Sequence, residues 1–446
     1  MPDLPFKQAA IHGDSALLRV LGFWALAASV VNLSIGASTF VLPGLLAASL
    51  GTAAPLAFIL GAGVFLPVAL CFAAAGSRLG ETGGPYTYVR AAAGPLAGFL
   101  VASVFWISNA AGTAGIAAAL VDQIGRLMPA LAAPLPRACQ LVGIYGALCA
   151  INALGARAGG MTVMLLSALK ILPLVAVLAA GPWFMQAANL HGDGSSHGSS
   201  LRSSLVVVIF AYSGLESALV PGGEFRNANR TVPAAALTGV ALVVFLYIGL
   251  QVVAQGVLGS ALATEAAPLV RIGAIIAPGG AALILCTAGL AMAGCLQGDL
   301  LGSSRLLFAL GRDGYLPHAF ARVSLSRRVP VLALLAHAVA VAALAIGGTF
   351  ESMASISGGA FCLVYLSVCL SAWRLQRAGI SQQGTPFVLW GGPLVPLVAC
   401  SGLTMVLLTL HAREWRAIAL VLAVAIILYG LLRKRRSHLA ANGVSG

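Results

Sequence analysis

The chain has 446 residues, of which 60% are hydrophobic and only 8% are charged. Because soluble domains carry roughly 25% charged residues, this composition excludes an ordinary water-facing surface and indicates a protein embedded in lipid. The net charge of +13 is spread over short segments between apolar runs, which excludes the concentrated basic face of a nucleic-acid-binding domain.

Apolar runs long enough to cross a hydrocarbon core of about 30 Å recur along the chain. They predict an all-α integral membrane protein with twelve transmembrane helices. The predicted helices begin near residues 17, 52, 93, 138, 158, 203, 231, 278, 329, 353, 386 and 415. We expect a single transmembrane domain over residues 17–432, with an N-terminal tail at 1–16 and a basic tail at 433–446.

The distribution of basic residues predicts the orientation in the membrane. The tails and loops on one side hold eighteen of the 25 Lys and Arg residues, the loops on the other side hold six, and Lys170 lies inside a span. Cytoplasmic loops carry the excess of Lys and Arg in membrane proteins. We therefore expect a multi-pass protein of the cytoplasmic (inner) membrane with both termini in the cytoplasm. The first apolar run is too long for a cleavable signal peptide, so the tail at 1–16 is expected to be retained.

The first and sixth spans are interrupted in the same way. Gly36 precedes Pro43 by seven residues and Gly214 precedes Pro221 by seven, so the two pairs are offset by 178 residues. Five spans separate the two starts, and an odd number of spans reverses the direction in which the chain crosses the membrane. The pattern predicts a five-plus-five inverted repeat with two appended helices. Repeat one covers about 17–181, repeat two about 203–375 and the appended helices about 386–432.

Each interruption frees backbone N–H groups and carbonyls, which is tolerated at membrane depth only where they face a cavity or a ligand. An amino acid satisfies both kinds of group, because its carboxylate suits the N–H groups of a helix start and its ammonium suits free carbonyls. The pattern therefore predicts a transporter with a small-molecule substrate, an amino acid or a related amine. The alternative is that Gly and Pro only mark kinks or close helix packing.

Short motifs follow one another along nearly the whole chain. Residues 35–44 resemble IGSGIFxLPG, and residues 81–86 and 94–99 resemble ETGGPY and GPLAGF. Residues 210–216 resemble FAYxGxE and lead into a GExxNPxRxxP motif, and residues 303–323 resemble SSR, RDGxLP and FARV in that order. Together they resemble the amino acid, polyamine and organocation transporter superfamily, bacterial amino acid permease branch. The resemblance implies a leucine-transporter-like fold with discontinuous helices 1 and 6 and transport by alternating access.

The first interruption departs from that family pattern. Gly36, Ala37 and Ser38 stand where the family has Gly-Ser-Gly, so a side chain is added beside the expected carboxylate site. Either the backbone is less open there, or the Ser38 hydroxyl contributes to the site. The expected substrate site combines both interruptions with one residue each of the third and eighth spans: Ile35, Gly36, Ala37, Ser38, Thr39, Phe210, Ala211, Tyr212, Ser213, Gly214, Asn109 and Asp299.

Lys170 lies near the middle of the fifth span, where an ammonium costs roughly 2.5–3.5 kcal/mol on insertion scales. The resemblance implies that its fixed positive charge replaces the sodium ion of related transporters. We therefore expect sodium-independent transport, driven by protons or by exchange, with Lys170 as a proton-coupling group or a permanent cation. The alternative is a lysine that pairs with backbone carbonyls and only holds the first helix in place.

Asp299 is expected about 20 Å deep in the eighth span, because it precedes Arg312 by thirteen residues. A carboxylate at this depth can receive the side-chain cation of a basic amino acid or a polyamine, or it can bind a proton. A transporter for polyamines or basic amino acids is thus the alternative function. The alternative for Asp299 itself is an internal ion pair with Lys170.

Several further positions have two interpretations each. Glu216 follows the second interruption, where it is expected either to bond freed backbone groups or to take part in gating. The resemblance implies that Phe210 closes over the substrate. Trp106 and Asn109 fall in the third span and Tyr365 in the tenth, and plain helix packing is the alternative for all of them.

The sequence predicts that the protein has no metal site and no cofactor and that it is not an enzyme. The eight cysteines lack CxxC spacing, His191 and His197 fall in a Gly- and Ser-rich loop, and His337 has no carboxylate or cysteine at ligand spacing. Matches near Ser213 and Asp299 to the GxSG and GxGD motifs of intramembrane proteases are incomplete. Interrupted helices in inverted repeats also favour a carrier over a channel. The substrate side chain, the direction of transport and the oligomeric state stay open.

Overall fold

The computed structural model describes residues 17–191, 198–324, 327–347, 350–382 and 384–441. The predicted N-terminal tail at 1–16 and the last five residues of the basic tail lie outside the described residues. Within these ranges the chain forms helices joined by short loops, and no β-sheet is formed. The prediction of an all-helical protein is confirmed.

The described part of the chain contains sixteen α-helices. In chain order they are α1 (Phe23–Ser34), α2 (Ala37–Leu50), α3 (Ala54–Arg78), α4 (Pro85–Ala93), α5 (Pro95–Leu127), α6 (Pro134–Ala153), α7 (Ala156–Ala180), α8 (Gly198–Tyr212), α9 (Leu215–Ala218), α10 (Ala228–Leu258), α11 (Pro268–Ile276), α12 (Gly280–Arg312), α13 (Val331–Gly347), α14 (Phe350–Arg377), α15 (Leu394–Leu407) and α16 (Ala412–Ala441).

Eight helical stretches are long and apolar enough to cross a membrane, judged by length and composition within the described ranges. They are Ala37–Arg78, Pro95–Leu127, Pro134–Ala153, Ala156–Phe184, Ala228–Thr264, Gly280–Arg312, Ser357–Arg377 and Glu414–Leu432. Four further apolar stretches of 10–17 residues are Phe23–Ser34, Ser204–Ala218, Val331–Gly347 and Leu394–Leu407. The chain is therefore a multi-pass membrane protein.

Two apolar segments that were expected to begin helices run in extended form instead. The first helix begins at Phe23 rather than near 17, because the Leu21 N–H donates to the Glu224 carbonyl and the Leu21 carbonyl accepts from the Arg226 N–H, both at 2.9 Å. In the same way, α15 begins only at Leu394. Its predicted first residues, 386–390, bond to side chains of α3 and α14, and Gly391 and Gly392 with φ of 70° and 61° turn the chain before the helix.

Two short helices between the long ones are missing from the prediction. The first is α4, which has Pro85 at its start, where a missing N–H costs nothing, and Gly94 with φ of 90° at its end. The second is α11, which also begins with a proline, Pro268. Both have nine residues and are too short to give an apolar run of membrane length.

An ion cluster ties α4 to the end of α12. Arg90 donates to Glu81 at 2.8 Å and also to Asp313, which accepts from Arg312 at 2.9 Å and from the Tyr86 hydroxyl at 2.5 Å. Burial alone would raise the pKa of Asp313, but the bonds from Arg312 and Tyr86 outweigh it and hold that pKa below its usual range. The carboxylate therefore stays ionised at neutral pH and keeps these loops together.

Both predicted interruptions are breaks in helices. The helix α1 ends at Ser34 and α2 begins at Ala37, so Ile35 and Gly36 form the first break. The helix α8 ends at Tyr212 and α9 begins at Leu215, with Gly214 between them at φ of 131°, a conformation that glycine reaches without a steric penalty. Because α1 packs against α7, α9, α10 and α12, the first break lies at the centre of the helix assembly.

Candidate functional site

A central cavity lies between the two helix breaks. Its volume of about 40 Å³ is far below the roughly 300–1,000 Å³ typical of small-molecule sites, so the two breaks lie close together in this conformation and their lining must move apart to admit an amino acid. Its lining residues come from the two breaks and from α5, α12 and α14: Leu33, Ser34, Gly36, Ser38, Ser108, Asn109, Gly112, Thr113, Ile116, Phe210, Ser213, Gly214, Glu216, Ser217, Cys295, Asp299, Ser357 and Phe361.

Most of the residues expected in the substrate site line this cavity. They are Gly36, Ser38, Asn109, Phe210, Ser213, Gly214 and Asp299, together with the expected gating residue Glu216. Five others are placed elsewhere: Ile35, Ala37, Thr39, Ala211 and Tyr212 are buried but do not line the cavity. The Tyr212 ring is turned away from it, because its hydroxyl donates to the Phe58 carbonyl at 2.9 Å.

The prediction named only Asn109 from a stripe of mostly small and polar residues along α5. Ser108, Gly112 and Ile116 follow one another at intervals of four residues, and Asn109 and Thr113 repeat the pattern one position later. Residues spaced by four lie on one face of a helix. The signal is present in the sequence, since small and polar residues at this spacing interrupt an otherwise apolar helix.

The carbonyls of the first break are paired inside the protein. The Lys170 ammonium donates to the carbonyls of Asn32 at 2.6 Å and Ile35 at 2.7 Å, and its side chain is fully buried. The Tyr247 hydroxyl donates to the Ser34 carbonyl at 2.7 Å. These three bonds satisfy acceptors that the break would otherwise leave bare in an apolar environment.

The N–H groups at the start of α2 differ from these carbonyls in how they are capped. The start of α2 has no side-chain cap, because its N-cap residue is Gly36, and the hydroxyl of Ser38 in the first turn bonds to Tyr247 at 2.9 Å. The first N–H groups of a helix have no partner within the helix and attract anions. Gly36 and Ser38, at this helix start, line the cavity. The cavity therefore meets the positive end of α2.

At the second break, the Glu216 side chain accepts a hydrogen bond from the freed backbone N–H group of Gly214. One of its carboxylate oxygens accepts from the Gly214 N–H and the other from the Tyr365 hydroxyl, each at 2.9 Å. Tyr365 lies on α14 and stacks on Phe361 with ring centroids 5.8 Å apart. Glu216 thus bonds a freed backbone group, as one of its two interpretations expects, and it joins the second break to α14.

Asp299 accepts hydrogen bonds from two sides. The Ser303 hydroxyl donates to Oδ1 at 2.8 Å, and Nε2 of His337 lies 2.7 Å from Oδ2. On the far side of His337, the Trp106 indole donates to Nδ1 at 3.1 Å. The sequence did not predict this partner for His337. Its carboxylate partner belongs to α12, 38 residues earlier in the chain, and spacing within one helix does not reveal it.

A second series of hydrogen bonds joins Asp299 to the second break. The Ser217 hydroxyl donates to Asn109 Oδ1 at 3.0 Å, and Asn109 Nδ2 donates to the Ser303 hydroxyl at 3.2 Å. Lys170 and Asp299 have separate partners, so the direct ion pair between them, an alternative that the sequence left open, is not formed. The carboxylate of Asp299 is therefore available to the cavity that it lines.

The model of the amino acid permease family matches residues 21–432. Among curated proteins, the chain is 28% identical to "Cationic amino acid transporter 9, chloroplastic" of Arabidopsis thaliana, over 72% of this chain but only 60% of that protein. It is 25% identical to the serine/threonine exchanger SteT of Bacillus subtilis, over 95% of this chain and 99% of the exchanger. It is 26% identical to the branched-chain amino acid permease BcaP of Lactococcus lactis, over 97% of this chain and 98% of the permease.

These relatives are transporters, permeases and exchangers by name, so the prediction of a transport protein rather than an enzyme is confirmed. The motifs that carried the resemblance lie within the matched range, which covers nearly the whole chain. The chain belongs to the amino acid permease family.

Proposed function

We propose that the protein carries amino acids across the cytoplasmic membrane by alternating access and without sodium. One observation carries this proposal: the uncapped start of α2 opens into a cavity that the second helix break also lines. An amino acid carboxylate fits the N–H groups and the positive dipole at this helix start. We place its ammonium toward the second break, because at the first break Lys170 and Tyr247 already occupy the carbonyls of Asn32, Ser34 and Ile35.

The same proposal includes a leucine-transporter-like arrangement of twelve spans, with a transport domain over 17–432 and both termini in the cytoplasm. A contact between the breaks supports the inverted repeat. The Ser34 hydroxyl donates to the Tyr212 carbonyl at 3.5 Å, and these residues are 178 positions apart, the offset between Gly36 and Gly214. A two-fold axis through a repeat protein brings such equivalent residues together. The distribution of basic residues supports the orientation.

Sodium independence is inferred from Lys170. Its ammonium lies 2.6 and 2.7 Å from two carbonyl oxygens of the first break. It therefore supplies the positive charge that a bound metal ion would otherwise bring to these oxygens. A bound sodium ion would have to compete with a covalently attached cation. Transport is therefore expected to depend on a proton gradient or on a second amino acid on the opposite side.

Uptake by the purified protein in proteoliposomes tests this proposal. Labelled serine, leucine and lysine would be offered in sodium and in potassium buffer, with and without an imposed pH gradient or an internal amino acid. We expect at least one of them to be taken up at the same initial rate in both salts, and protein-free liposomes give the background. Uptake that requires sodium would contradict the inferred role of Lys170. Absence of uptake and of binding for all amino acids would contradict amino acid transport itself.

A further inference from the structure

The central cavity has acidic groups without a matching cation. Among the described residues that line it, Glu216 and Asp299 are acidic, and none is Lys, Arg or His. The nearest buried cation of the site, Lys170, is not part of the lining and directs its ammonium to the carbonyls of Asn32 and Ile35. The cavity is thus electrostatically suited to a ligand that brings positive charge.

The two acidic residues have different tasks. Glu216 uses one oxygen on the N–H of Gly214 and the other on the Tyr365 hydroxyl, so it maintains the second break. Asp299 lies within the continuous helix α12, where the backbone needs no side-chain partner. A carboxylate offers about four lone-pair sites, and the described bonds to Ser303 and His337 use two of them. Asp299 therefore retains acceptor capacity for a ligand.

The hydrogen-bond pattern assigns the protons around Asp299. An indole N–H can only donate, so Nδ1 of His337 must accept from Trp106 and carries no proton. The proton of the imidazole is then on Nε2, 2.7 Å from the Asp299 carboxylate, to which it is donated. Such a histidine is neutral. It orients the carboxylate through this hydrogen bond and brings no positive charge of its own to the cavity.

An ionised carboxylate beside an apolar interior is costly unless a cation approaches it. We propose, as an extension of the proposed function, that Asp299 binds the side-chain cation of a basic amino acid such as lysine or ornithine. The carboxylate and the α-ammonium of the bound amino acid lie at the two helix breaks. His337 and Trp106 are positioning residues, which hold the Asp299 carboxylate where it lines the cavity.

Thermal stabilisation of the detergent-purified protein tests this inference, because a ligand that binds the folded state raises the apparent midpoint of unfolding. The ligands would be lysine, ornithine, serine, leucine and the diamine putrescine, each titrated against the wild type and Asp299→Asn. Asp122→Asn is the matched control, since Asp122 is an acidic residue outside the cavity that pairs with Arg137 at 3.1 Å.

We expect basic amino acids to bind the wild type and the control most tightly. Loss of one charge-assisted contact in Asp299→Asn should weaken lysine and ornithine by about 10- to 100-fold and leave neutral amino acids nearly unchanged. Wild-type stabilisation by neutral amino acids but not by basic ones would overturn the inference and leave amino acid transport intact. Equal losses for basic and neutral ligands in Asp299→Asn would also overturn it. Binding of putrescine without lysine would overturn the amino acid assignment.

A second pair of variants keeps the test decisive if Asp299→Asn fails to fold. The amide of His337→Gln can accept from Trp106 and donate to Asp299, whereas His337→Leu can do neither. We expect the preference for lysine over leucine to survive in the first variant and to fall by about tenfold in the second. A residue that only fills space would leave this preference equal in both variants, which would contradict the positioning role.

Discussion

Replacement of Lys170 by methionine is expected to abolish amino acid transport while leaving a protein that still inserts and purifies. The side chain is fully buried, and its ammonium holds the carbonyls of Asn32 at 2.6 Å and Ile35 at 2.7 Å. Without it, two acceptors at membrane depth lose charge-assisted hydrogen bonds, each worth about 1.5–3 kcal/mol. We expect the initial rate of uptake to fall by about 100-fold or more, because the first break loses its shape.

Leu169→Met is the matched control for this variant. Leu169 is the preceding residue on α7, but its side chain is 43% exposed on the outer surface, so the same substituent there meets no carbonyl of the break. Transport by the control should equal that of the wild type. If Lys170→Met transported with unchanged rate, affinity and pH profile, neither coupling nor stabilisation of the break could be the role of Lys170.

Substitution of Gly214 by alanine should damage the second break in a comparable way. Gly214 has φ of 131°, and an added Cβ would lie 2.8 Å from the Ser34 nitrogen and from Leu33 Cβ. The backbone conformation alone costs about 1–3 kcal/mol for a residue with a side chain. Relief of the contact would push α1 away from the second break. We therefore expect a lower midpoint of thermal unfolding together with a nearly complete loss of uptake.

Gly289→Ala provides the comparison. Gly289 lies inside α12, and an added Cβ there meets no atom within 4 Å, so alanine should be neutral or slightly stabilising. Measurement of unfolding midpoint and uptake on both variants separates the geometry of the break from a general effect of losing a glycine. Normal transport by Gly214→Ala would mean that the close approach of the two breaks is dispensable.

The sequence predicted those features that depend on residues close together in the chain. The position of both breaks was predictable because Gly36 and Gly214 repeat at a fixed offset and glycine interrupts helices. The carbonyl partners of Lys170 match one of its sequence-based interpretations, since a buried ammonium must find acceptors. The false helix start at 386 arose because an apolar run of this length fits both a helix and an extended segment packed on other helices.

The site was less predictable where it depends on contacts between helices. His337 and Asp299 belong to different helices, and periodicity within each one gives no information about which faces meet. The same holds for the link between Glu216 and Tyr365, which are 149 residues apart. Pairing of Asp299 with Lys170 was expected as an alternative from their opposite charges and from neighbouring helices, but the backbone carbonyls of the first break satisfy Lys170 instead.

Counterflow in proteoliposomes tests the central claim most directly, namely that the cavity between the two breaks is the binding site of an alternating-access carrier. Vesicles would be loaded with an unlabelled amino acid that stabilises the protein and diluted into a trace of the labelled form. We predict a transient accumulation of label above its equilibrium level, saturable by external amino acid and absent with Gly214→Ala. Simple equilibration without an overshoot, unaffected by the internal amino acid, would contradict the carrier and indicate a channel.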